Sequence, residues 1–367
     1  MFYWLINELA PVLEHLELHS SGDSRVFLTA RIALASITSF LLAILLGPIA
    51  INWLKGRFPE RIDSASERLN EIQASKHSTP TMGGLFIVSA IVFATLIWGN
   101  LENSFVQLSL FVVIAFACLG AVDDWIKLST DRNGLNVRQK LAWQVVLAGI
   151  MAAGLYLIHS RDQQAVGVIW PIGNYLIPLG LFYIVWSILV SVGTSNAVNL
   201  TDGLDGLAGG CLIFAGLTFV GLTYVAGHAV IADYLSIPFV PGSGELAVVL
   251  GAMVGAMLGF LWFNCYPAQV FMGDTGSLSL GALLAFGALA SRRELLLVIC
   301  GGMFVVEALS VILQVGWFRL TKKRLIACSP LHNHFLFKGQ HEMKIVVRFW
   351  IGSALLSIMA VASLKIG

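Results

Sequence analysis

Long apolar stretches follow one another along almost the whole chain, and short polar segments separate them. A membrane-spanning helix needs about 20 mostly apolar residues, and an open strand cannot satisfy its backbone in lipid, so each stretch predicts a helix. The ten stretches are residues 26–54, 83–99, 105–122, 140–159, 175–196, 206–227, 245–263, 275–290, 294–317 and 345–365. No segment between them is long enough for a separate soluble unit. We therefore expect residues 1–367 to form one all-α, integral membrane domain of about ten transmembrane helices.

The composition supports this fold class and excludes several kinds of protein. Only 12% of the residues are charged and 57% are hydrophobic, whereas soluble domains have about 25% charged residues. A soluble enzyme, a secreted domain and a disordered chain are therefore excluded. The net charge of +1 offers no electrostatic support for nucleic-acid binding. The five cysteines show no zinc-site spacing and are predicted to be reduced, mostly buried side chains.

Basic residues are concentrated on one side of the predicted helices. Segments 55–80, 123–140 and 318–344 carry fifteen lysines and arginines, and the segments on the opposite side carry five. The positive-inside rule places the richer side in the cytoplasm, so both termini are expected to be periplasmic. Arg31 and Glu307 lie within predicted spans. Because no chain of further charges accompanies them, helix packing or snorkelling is favoured over a proton relay.

Five aspartates reach this predicted cytoplasmic side from three different span ends. Asp123 and Asp124 follow the third span, Asp202 and Asp205 follow the fifth, and Asp274 follows the seventh. Adjacent carboxylates repel one another unless a cation or a shared proton relieves them, and oxygen ligands without cysteine favour Mg²⁺ over zinc. For one motif alone, a charge cluster that anchors a helix end is a real alternative. The convergence of three motifs favours a Mg²⁺-assisted active site on the cytoplasmic face.

Glycine-containing segments precede three predicted helices on the same side. They are residues 81–84, 202–206 and 273–277, and they include Thr81, Gly203 and Leu204. Free backbone N–H groups and the positive ends of helix dipoles bind anions, so these segments predict a phosphate-binding surface. Ordinary helix capping is the alternative, and it does not exclude phosphate binding. The chain has no G-x-x-x-x-G-K-[ST] pattern, so a P-loop ATPase is unsupported.

Two histidines, His332 and His334, lie in the last segment on this side. In an extended segment alternate residues point the same way, so we expect both imidazoles to face one ligand. Contact with a phosphate or another polar group is favoured over metal binding. The reasons are that Lys338 is close by and that no further histidine or cysteine completes a metal-site pattern.

Four segments together resemble those of the phospho-N-acetylmuramoyl-pentapeptide-transferases, a bacterial family within the polyprenyl-phosphate N-acetylhexosamine-1-phosphate transferases. They are residues 76–84, 122–124, 196–206 and 271–274, and the resemblance extends from about the first span to the C-terminus. The long Asn/Asp-containing segment 196–206 is highly specific, whereas two adjacent aspartates alone are weak. The resemblance implies a ten-helix bundle with a cytoplasmic Mg²⁺ site, in the bacterial cytoplasmic (inner) membrane.

The resemblance also implies roles for individual residues. Asp123, Asp124 and Asp274 match catalytic aspartates, and Asp274 is the favoured Mg²⁺ ligand. The positions that match the nucleotide and diphosphate site are Lys76, Asn199, Asp202, Asp205, Asn264 and Phe271. Together with Thr81, Gly203, Leu204, His332 and His334, they make up the predicted substrate-binding set.

The implied reaction moves phospho-N-acetylmuramoyl-pentapeptide from its UDP donor to undecaprenyl phosphate and releases UMP. A homodimer is left open. One alternative is a sister transferase that moves N-acetylglucosamine-1-phosphate to a polyprenyl phosphate. Another is a transporter or flippase, for which charged groups and broken helices at mid-membrane are expected. A third is a homologue of reduced activity, because Asn333 replaces the middle one of three histidines typical of the family, and Leu336 replaces an acid.

Overall fold

The computed structural model describes residues 24–55, 57, 76, 79–130, 132–160, 166–171, 173 and 175–365. The N-terminal 23 residues and segment 58–75 lie outside the described residues, as do His77 and Ser78. Three basic residues counted in the orientation argument, Arg61, Arg68 and Arg161, also lie outside the described residues.

The described residues form thirteen α-helices and one two-stranded hairpin. The helices are α1 (Ser24–Lys55), α2 (Gly84–Trp98), α3 (Ser104–Ser129), α4 (Val137–Ser160), α5 (Phe182–Thr201), α6 (Leu207–Ala226), α7 (Ala229–Tyr234), α8 (Leu246–Asn264), α9 (Gly273–Ala290), α10 (Glu294–Cys300), α11 (Gly302–Thr321), α12 (Leu331–Phe337) and α13 (Glu342–Ala362). The antiparallel strands β1 (Gly167–Ile169) and β2 (Leu176–Pro178) pair with Val168 opposite Ile177. Short 3₁₀ turns occupy Ser243–Glu245 and Ser363–Lys365.

Each of the ten predicted apolar stretches contains a helix, although the first residues of stretch 175–196 form strand β2 and its helix begins at Phe182. The protein is a multi-pass membrane protein. Among the described residues, nine helices are long and apolar enough to cross a membrane. The counterpart of stretch 83–99 is the shorter α2, with 15 residues. Stretch 294–317 is not one helix, because the chain breaks at Gly301 between α10 and α11. The hairpin at residues 167–178 was not predicted, since its strands are only three residues long.

The outward faces of the bundle are apolar, as lipid contact requires. On α1 the side chains of Leu34, Ile37, Leu41, Leu45 and Ile49 are between 41% and 69% exposed. Their spacing of three and four residues places them in one stripe along the helix. A continuous exposed apolar stripe of this kind is rare on soluble monomers, so it is expected to face the acyl chains.

Helix α9 lies at the centre of the bundle and is buried on every side. All residues from Asp274 to Ala290 are buried, and α9 packs against α2, α3, α5 and α6. Glycines permit this close packing. A Cβ atom on Gly120 of α3 would lie 2.3 Å from the carbonyl oxygen of Asp274, and one on Gly84 of α2 would lie 2.1 Å from the nitrogen of Gly276. The first turn of α9 is therefore held closely between α2 and α3.

The direction of the helices defines two ends of the bundle. Helices α3, α5 and α8 finish where α2, α6 and α9 begin, and we call this the site end. The opposite end, where α2 finishes and α8 begins, is called the far end. All of the predicted site residues that the structure describes belong to segments at the site end or to the turns beside it.

Candidate active site

Three aspartates meet at the site end between α3 and α9. Asp123 and Asp124 lie near the end of α3, and Asp274 lies in the first turn of α9. One carboxylate oxygen from each lies within 4.8 Å of the other two, and the residues are only 2%, 3% and 7% exposed. We call these residues the aspartate cluster. Its members are 150 positions apart in the chain, and the packing of α3 on α9 brings them together.

Two lysines neutralise most of the charge of the aspartate cluster. Lys127 Nζ lies 2.8 Å from Asp123 Oδ2 and 2.8 Å from Asp274 Oδ2, and Lys140 Nζ lies 2.5 Å from the same Asp274 oxygen. Lys127 is one turn after Asp123 on α3, as its spacing indicates. Lys140 comes from α4 and was not predicted. Three carboxylates and two ammonium groups leave an excess of negative charge.

The two adjacent aspartates have different surroundings. Asp124 accepts hydrogen bonds from the backbone N–H groups of Asp274 (3.0 Å) and Thr275 (2.9 Å) and from the Thr275 hydroxyl (2.7 Å). It therefore occupies the N-terminus of α9. Asp123 accepts one backbone hydrogen bond, from Leu135 N–H at 2.8 Å, and its other oxygen faces Lys127. Asp123 is thus the member of the pair that faces the ammonium groups, while Asp124 holds α9.

Asn199 connects the end of α5 to the aspartate cluster. Its side-chain amide donates to Asp274 Oδ1 at 2.6 Å and to the Ser277 hydroxyl at 2.8 Å. Asp274 therefore has an amide on one oxygen and two ammonium groups on the other. These contacts fix the orientation of its carboxylate, which is what a metal-binding or phosphate-facing carboxylate requires.

The helix N-termini at the site end are capped by the protein itself. The N–H groups of Gly83 and Gly84 at α2 donate to the carbonyl groups of Phe271 and Met272, each at 2.8 Å. Asp124 fills the start of α9, as described above. Capping, the alternative considered above, is therefore present at both helix ends, through the Asp124 carboxylate and the pairing of residues 80–84 with residues 271–272. The phosphate-binding role of these ends stays a prediction.

Asn264, at the end of α8, joins the turn before α6 to the turn before α9. Its Oδ1 accepts from Gly206 N–H at 2.9 Å, and its Nδ2 donates to the Val270 carbonyl at 2.8 Å. It is 2% exposed, so it acts within the protein rather than at the surface. Gly206 needs to be glycine because its φ is +78°, a conformation that other residues rarely adopt.

A second charged cluster, the Lys76 cluster, consists of Lys76, Asp205 and Glu342. Lys76 Nζ lies 2.5 Å from Asp205 Oδ1 and 2.6 Å from Glu342 Oε1. The same Glu342 oxygen accepts from Asp205 N–H at 2.8 Å, and Asp205 Oδ2 accepts from Ala268 N–H at 2.9 Å. Glu342 was not predicted, although an acid in the first turn of the last helix was visible in the sequence. The cluster ties α13 to the loop before α6.

The two predicted histidines do not face one ligand. They lie on the short helix α12, not on an extended segment, and residues two apart on a helix differ in direction by about 200°. His332 is buried, 1% exposed, and contacts Glu307. His334 accepts a hydrogen bond from Ala327 N–H at 3.1 Å. Burial and the nearby Lys338 lower the pKa of His334, which favours the neutral imidazole that can accept this bond.

The remaining predicted residues lie on or beside the loop at residues 202–206. Leu204 is buried, Asp202 is half-buried, and Gly203 is exposed on its outer side. Thr81 is 5% exposed and lies close to the first residue of α9. Phe271 is half-buried, and its N–H donates to the Pro80 carbonyl at 2.8 Å. These residues surround an area between the aspartate cluster and the Lys76 cluster.

An apolar groove runs along α5 towards the site end. It lies between α5 and the broken helix pair α10–α11 and has a volume of about 250 Å³. Its lining includes Trp186 and Glu294 towards the far end and Ala197 towards the site end. Ala197 is two residues before Asn199 in the chain, and the two residues lie on different sides of α5.

The donor atoms of the aspartate cluster suit a hard divalent cation. All three side chains offer carboxylate oxygens close enough to share one ion, and no soft sulfur ligand is among them, which is the set preferred by Mg²⁺ or Ca²⁺. The excess negative charge supports the same conclusion. A cation on Asp274 would compete with the Lys127 and Lys140 ammonium groups for Oδ2, so these two side chains would move towards an incoming phosphate.

Comparisons with known proteins agree with this geometry. Residues 106–292 match the family model described as glycosyl transferase family 4; this region holds the whole aspartate cluster. Three curated relatives carry the name phospho-N-acetylmuramoyl-pentapeptide-transferase. They are from Nitratidesulfovibrio vulgaris strain DP4 (48% identical, covering 94% of this chain and 97% of the relative), Pelobacter propionicus (46%, covering 96% and 99%) and Solidesulfovibrio magneticus (45%, covering 100% of both).

Proposed function

Because the chain belongs to the phospho-N-acetylmuramoyl-pentapeptide-transferases, within glycosyl transferase family 4, we propose that it catalyses the reaction named for these relatives. A phosphate oxygen of undecaprenyl phosphate attacks the β-phosphorus of UDP-N-acetylmuramoyl-pentapeptide. The bond from this phosphorus to the bridging oxygen breaks, and UMP leaves with the electron pair. The products are the first lipid-linked peptidoglycan precursor and UMP.

One observation carries this proposal: three buried aspartates and two lysines meet at the end of the bundle. Phosphoryl transfer between two anions depends mainly on positioning and charge neutralisation. Lys127 and Lys140 supply mobile positive charge for the phosphates. Asp123 is the base that takes a proton from the acceptor phosphate, or the nucleophile, because Asp124 is committed to α9.

Mg²⁺ is the cofactor that we assign to the aspartate cluster, with Asp274 as its main protein ligand. When bound, Mg²⁺ reduces the repulsion between the two phosphates and polarises the reacting phosphorus. Asn199 orients the Asp274 carboxylate through Oδ1, so Oδ2 is the atom that we expect to face the cation. Lys127 and Lys140, which contact the same oxygen, would supply further positive charge for the donor diphosphate.

The donor nucleotide is assigned to the area around the Lys76 cluster. Lys76, Asp205 and Glu342 present charged groups to polar parts of the donor, and the half-buried Phe271 offers an aromatic face for the uracil base. Asp202 and Gly203 lie on the exposed side of the same loop. His332 and Asn264 support this area from beneath, and His334 holds the neighbouring loop.

The acceptor is assigned to the apolar groove between α5 and α10–α11. Its apolar lining suits a polyprenyl chain, and α5, which forms one wall of the groove, ends at the site end, where the terminal phosphate would lie. The reaction then takes place at the membrane surface on the cytoplasmic side, in the inner membrane of a bacterium. The excess of basic residues around the site end supports this orientation.

The test is a UMP-release assay on the full chain in detergent, with and without Mg²⁺. We expect release with UDP-N-acetylmuramoyl-pentapeptide and undecaprenyl phosphate, dependence on Mg²⁺, and loss of most of that dependent release in Asp274→Asn while the protein stays folded. Turnover near that of the unmodified protein in Asp274→Asn would overturn the metal assignment. Preference for UDP-N-acetylglucosamine would identify a sister transferase, and solute or lipid flux without UMP release would identify a transporter.

A further inference from the structure

Glu307 is a fully buried carboxylate on α11 that none of the assignments above uses. It is 0% exposed. Its Oε1 accepts a hydrogen bond from the backbone N–H of His332 at 3.1 Å, and its Oε2 lies 3.3 Å from His332 Nδ1. In the part of the chain that the structure describes, this imidazole is its ion-pair partner. A buried carboxylate is strongly disfavoured unless a charged or hydrogen-bonding partner satisfies it.

The approach of Glu307 Oε2 to Nδ1 favours a proton on that nitrogen of His332; the two atoms lie 3.3 Å apart without an aligned hydrogen bond in the structure. If Nδ1 were unprotonated, its lone pair would face the lone pairs of Glu307 Oε2 across 3.3 Å. A carboxylate beside one ring nitrogen instead favours the proton on that nitrogen and fixes the orientation of the ring. His332 is therefore expected to hold Nδ1–H towards Glu307 and to direct Nε2 away from it.

The opposite edge of the ring lies against the loop that holds Asp202 and Asp205. A Cβ atom on Gly203 would lie 2.3 Å from His332 Nε2 and 2.8 Å from its Cε1. Gly203 does not have the positive φ of Gly206, so glycine is needed there for space. The ring of His332 thus takes the place of a side chain beneath the exposed loop.

Helix α11 faces the apolar groove on a different side from Glu307, so substitutions on its two sides can test donor binding and acceptor binding separately. Phe304, Val305, Ala308 and Leu309 line the apolar groove. On a helical wheel Glu307 is about 130° from the centre of that face, given 100° per residue. A change at Glu307 therefore acts on the loop side, whereas a change at Val305 acts on the groove side.

We propose that Glu307 is a positioning residue for donor binding. It holds His332 with the proton on Nδ1, and the Nε2 edge of His332 supports the loop at residues 202–206 in the shape that binds the nucleotide donor. This inference rests on the function proposed above, since it assigns the loop to the donor. It explains why a charged residue is kept at a buried position of an apolar helix.

The main experiment compares Glu307→Gln with Glu307→Asp in steady-state UMP release. A glutamine that keeps its oxygen on the His332 N–H presents its NH₂ group to Nδ1, so the proton must move to Nε2. We expect Glu307→Gln to raise the KM for the UDP donor at least tenfold and to change the KM for undecaprenyl phosphate less than twofold. Glu307→Asp keeps a carboxylate and should recover part of the donor affinity.

Two matched variants and one spectroscopic measurement complete the design. Ser310→Ala, one turn further along α11, removes a hydroxyl that donates to the Glu307 backbone carbonyl at 2.7 Å, and it should leave both KM values unchanged. Val305→Ala should raise the acceptor KM alone. In protein labelled with ¹⁵N-histidine and assigned through His332→Gln, NMR should show Nδ1–H in the unmodified chain and Nε2–H in Glu307→Gln.

Each result decides the proposal. Nε2–H on His332 in the unmodified chain, or an unchanged donor KM in Glu307→Gln, would overturn it. If Glu307→Gln does not fold, Gly203→Ala is the variant to measure. Its added methyl group displaces the ring of His332. An unchanged donor KM in that folded variant would also overturn the proposal. Absence of UMP release from the unmodified chain with either donor rejects the proposed function instead, and the NMR result still reports on the Glu307–His332 contact.

Discussion

A buried ion pair at the far end and the aspartate cluster at the site end arrange their charges in opposite ways. At the far end, the Arg31 guanidinium pairs with both carboxylate oxygens of Glu245, with one contact of 2.9 Å, and donates to the Trp98 carbonyl at 3.1 Å. One cation there meets one anion. At the site end, the aspartate cluster brings three carboxylates together with two lysines.

This difference separates a structural ion pair from a functional one. A matched buried pair satisfies itself and joins α1 to the start of α8, so it needs no ligand. Carboxylates held within 4.8 Å of one another repel, and such an arrangement persists when the surrounding packing over-determines it. Three buried carboxylates close enough to share one cation are therefore the feature that points to catalysis.

The largest expected effect comes from relieving the charge excess at the site end. Asp123→Asn should lower kcat for UMP release by about 10²–10⁴-fold, the usual contribution of an acid–base group. Because one repelling carboxylate is removed, the melting temperature should stay the same or rise. The measurements are UMP release and thermal unfolding in detergent. A lower melting temperature with preserved turnover would show that Asp123 serves stability rather than catalysis, as the Arg31–Glu245 pair does.

Breaking the matched pair at the far end should have the opposite signature. Arg31→Met leaves Glu245 without its guanidinium and should destabilise the fold by about 3–5 kcal/mol, while turnover per folded molecule stays within twofold. Adding Glu245→Leu should recover most of the loss, since replacing both partners removes the uncompensated charge. Thermal unfolding of the single and double variants measures this. A double variant no more stable than the single one contradicts the pairing argument.

Two glycines in close helix contacts allow the same comparison for packing. Gly120→Ala places a methyl 2.3 Å from the Asp274 carbonyl oxygen, and Gly255→Ala places one 1.9 Å from the Ser36 carbonyl oxygen, between α8 and α1. Each should lower stability by about 1–3 kcal/mol. Only Gly120→Ala should also lower turnover of the folded protein, because it moves Asp274. Equal turnover of the two variants would show that the α3–α9 contact does not position the cluster.

The smallest expected effect concerns pH at the loop beside the site end. Burial and Lys338 lower the pKa of His334. Its imidazole therefore binds a proton less tightly in the folded protein than in a state where this loop is unfolded. The Nδ1 contact with Ala327 N–H is therefore present above the usual histidine pKa of about 6.5 and is lost as the pH falls below it. Amide hydrogen exchange at residues 325–328 should rise between pH 7.5 and 5.5 after correction for intrinsic rates. His334→Gln should abolish this pH-dependent change.

Much of the architecture followed from local pattern alone. Apolar stretches of bilayer length predicted the helices of the bundle, because the hydrophobic requirement of a membrane acts on each segment separately. The arrival of Asp123 and Asp274 at one end also followed, since it depends only on counting spans. The break at Gly301 and the shortness of α2 were not predicted, because apolar composition is the same on both sides of a helix interruption.

The site includes several features that the local sequence pattern did not predict. Lys140, Glu342 and Glu307 were not assigned site roles, because each acts on a residue at least 25 positions away. The groups that cap two of the helix N-termini could not be predicted: they are the carbonyl groups of residues 271–272 and the Asp124 carboxylate. A cap made by a distant segment leaves no trace in the sequence around the helix end.

The sequence by itself therefore determined the membrane fold class, the end of the bundle that carries the chemistry, and the family motifs. Only the tertiary structure decided how the acids divide their roles, with Asp124 holding α9 and Asp123 facing the lysines. It also gave His332 and His334 different partners, Glu307 and the Ala327 N–H group. The physical reason is that hydropathy is a sum over neighbours in the chain, whereas the surroundings of a buried charge are set by the helices that pack around it.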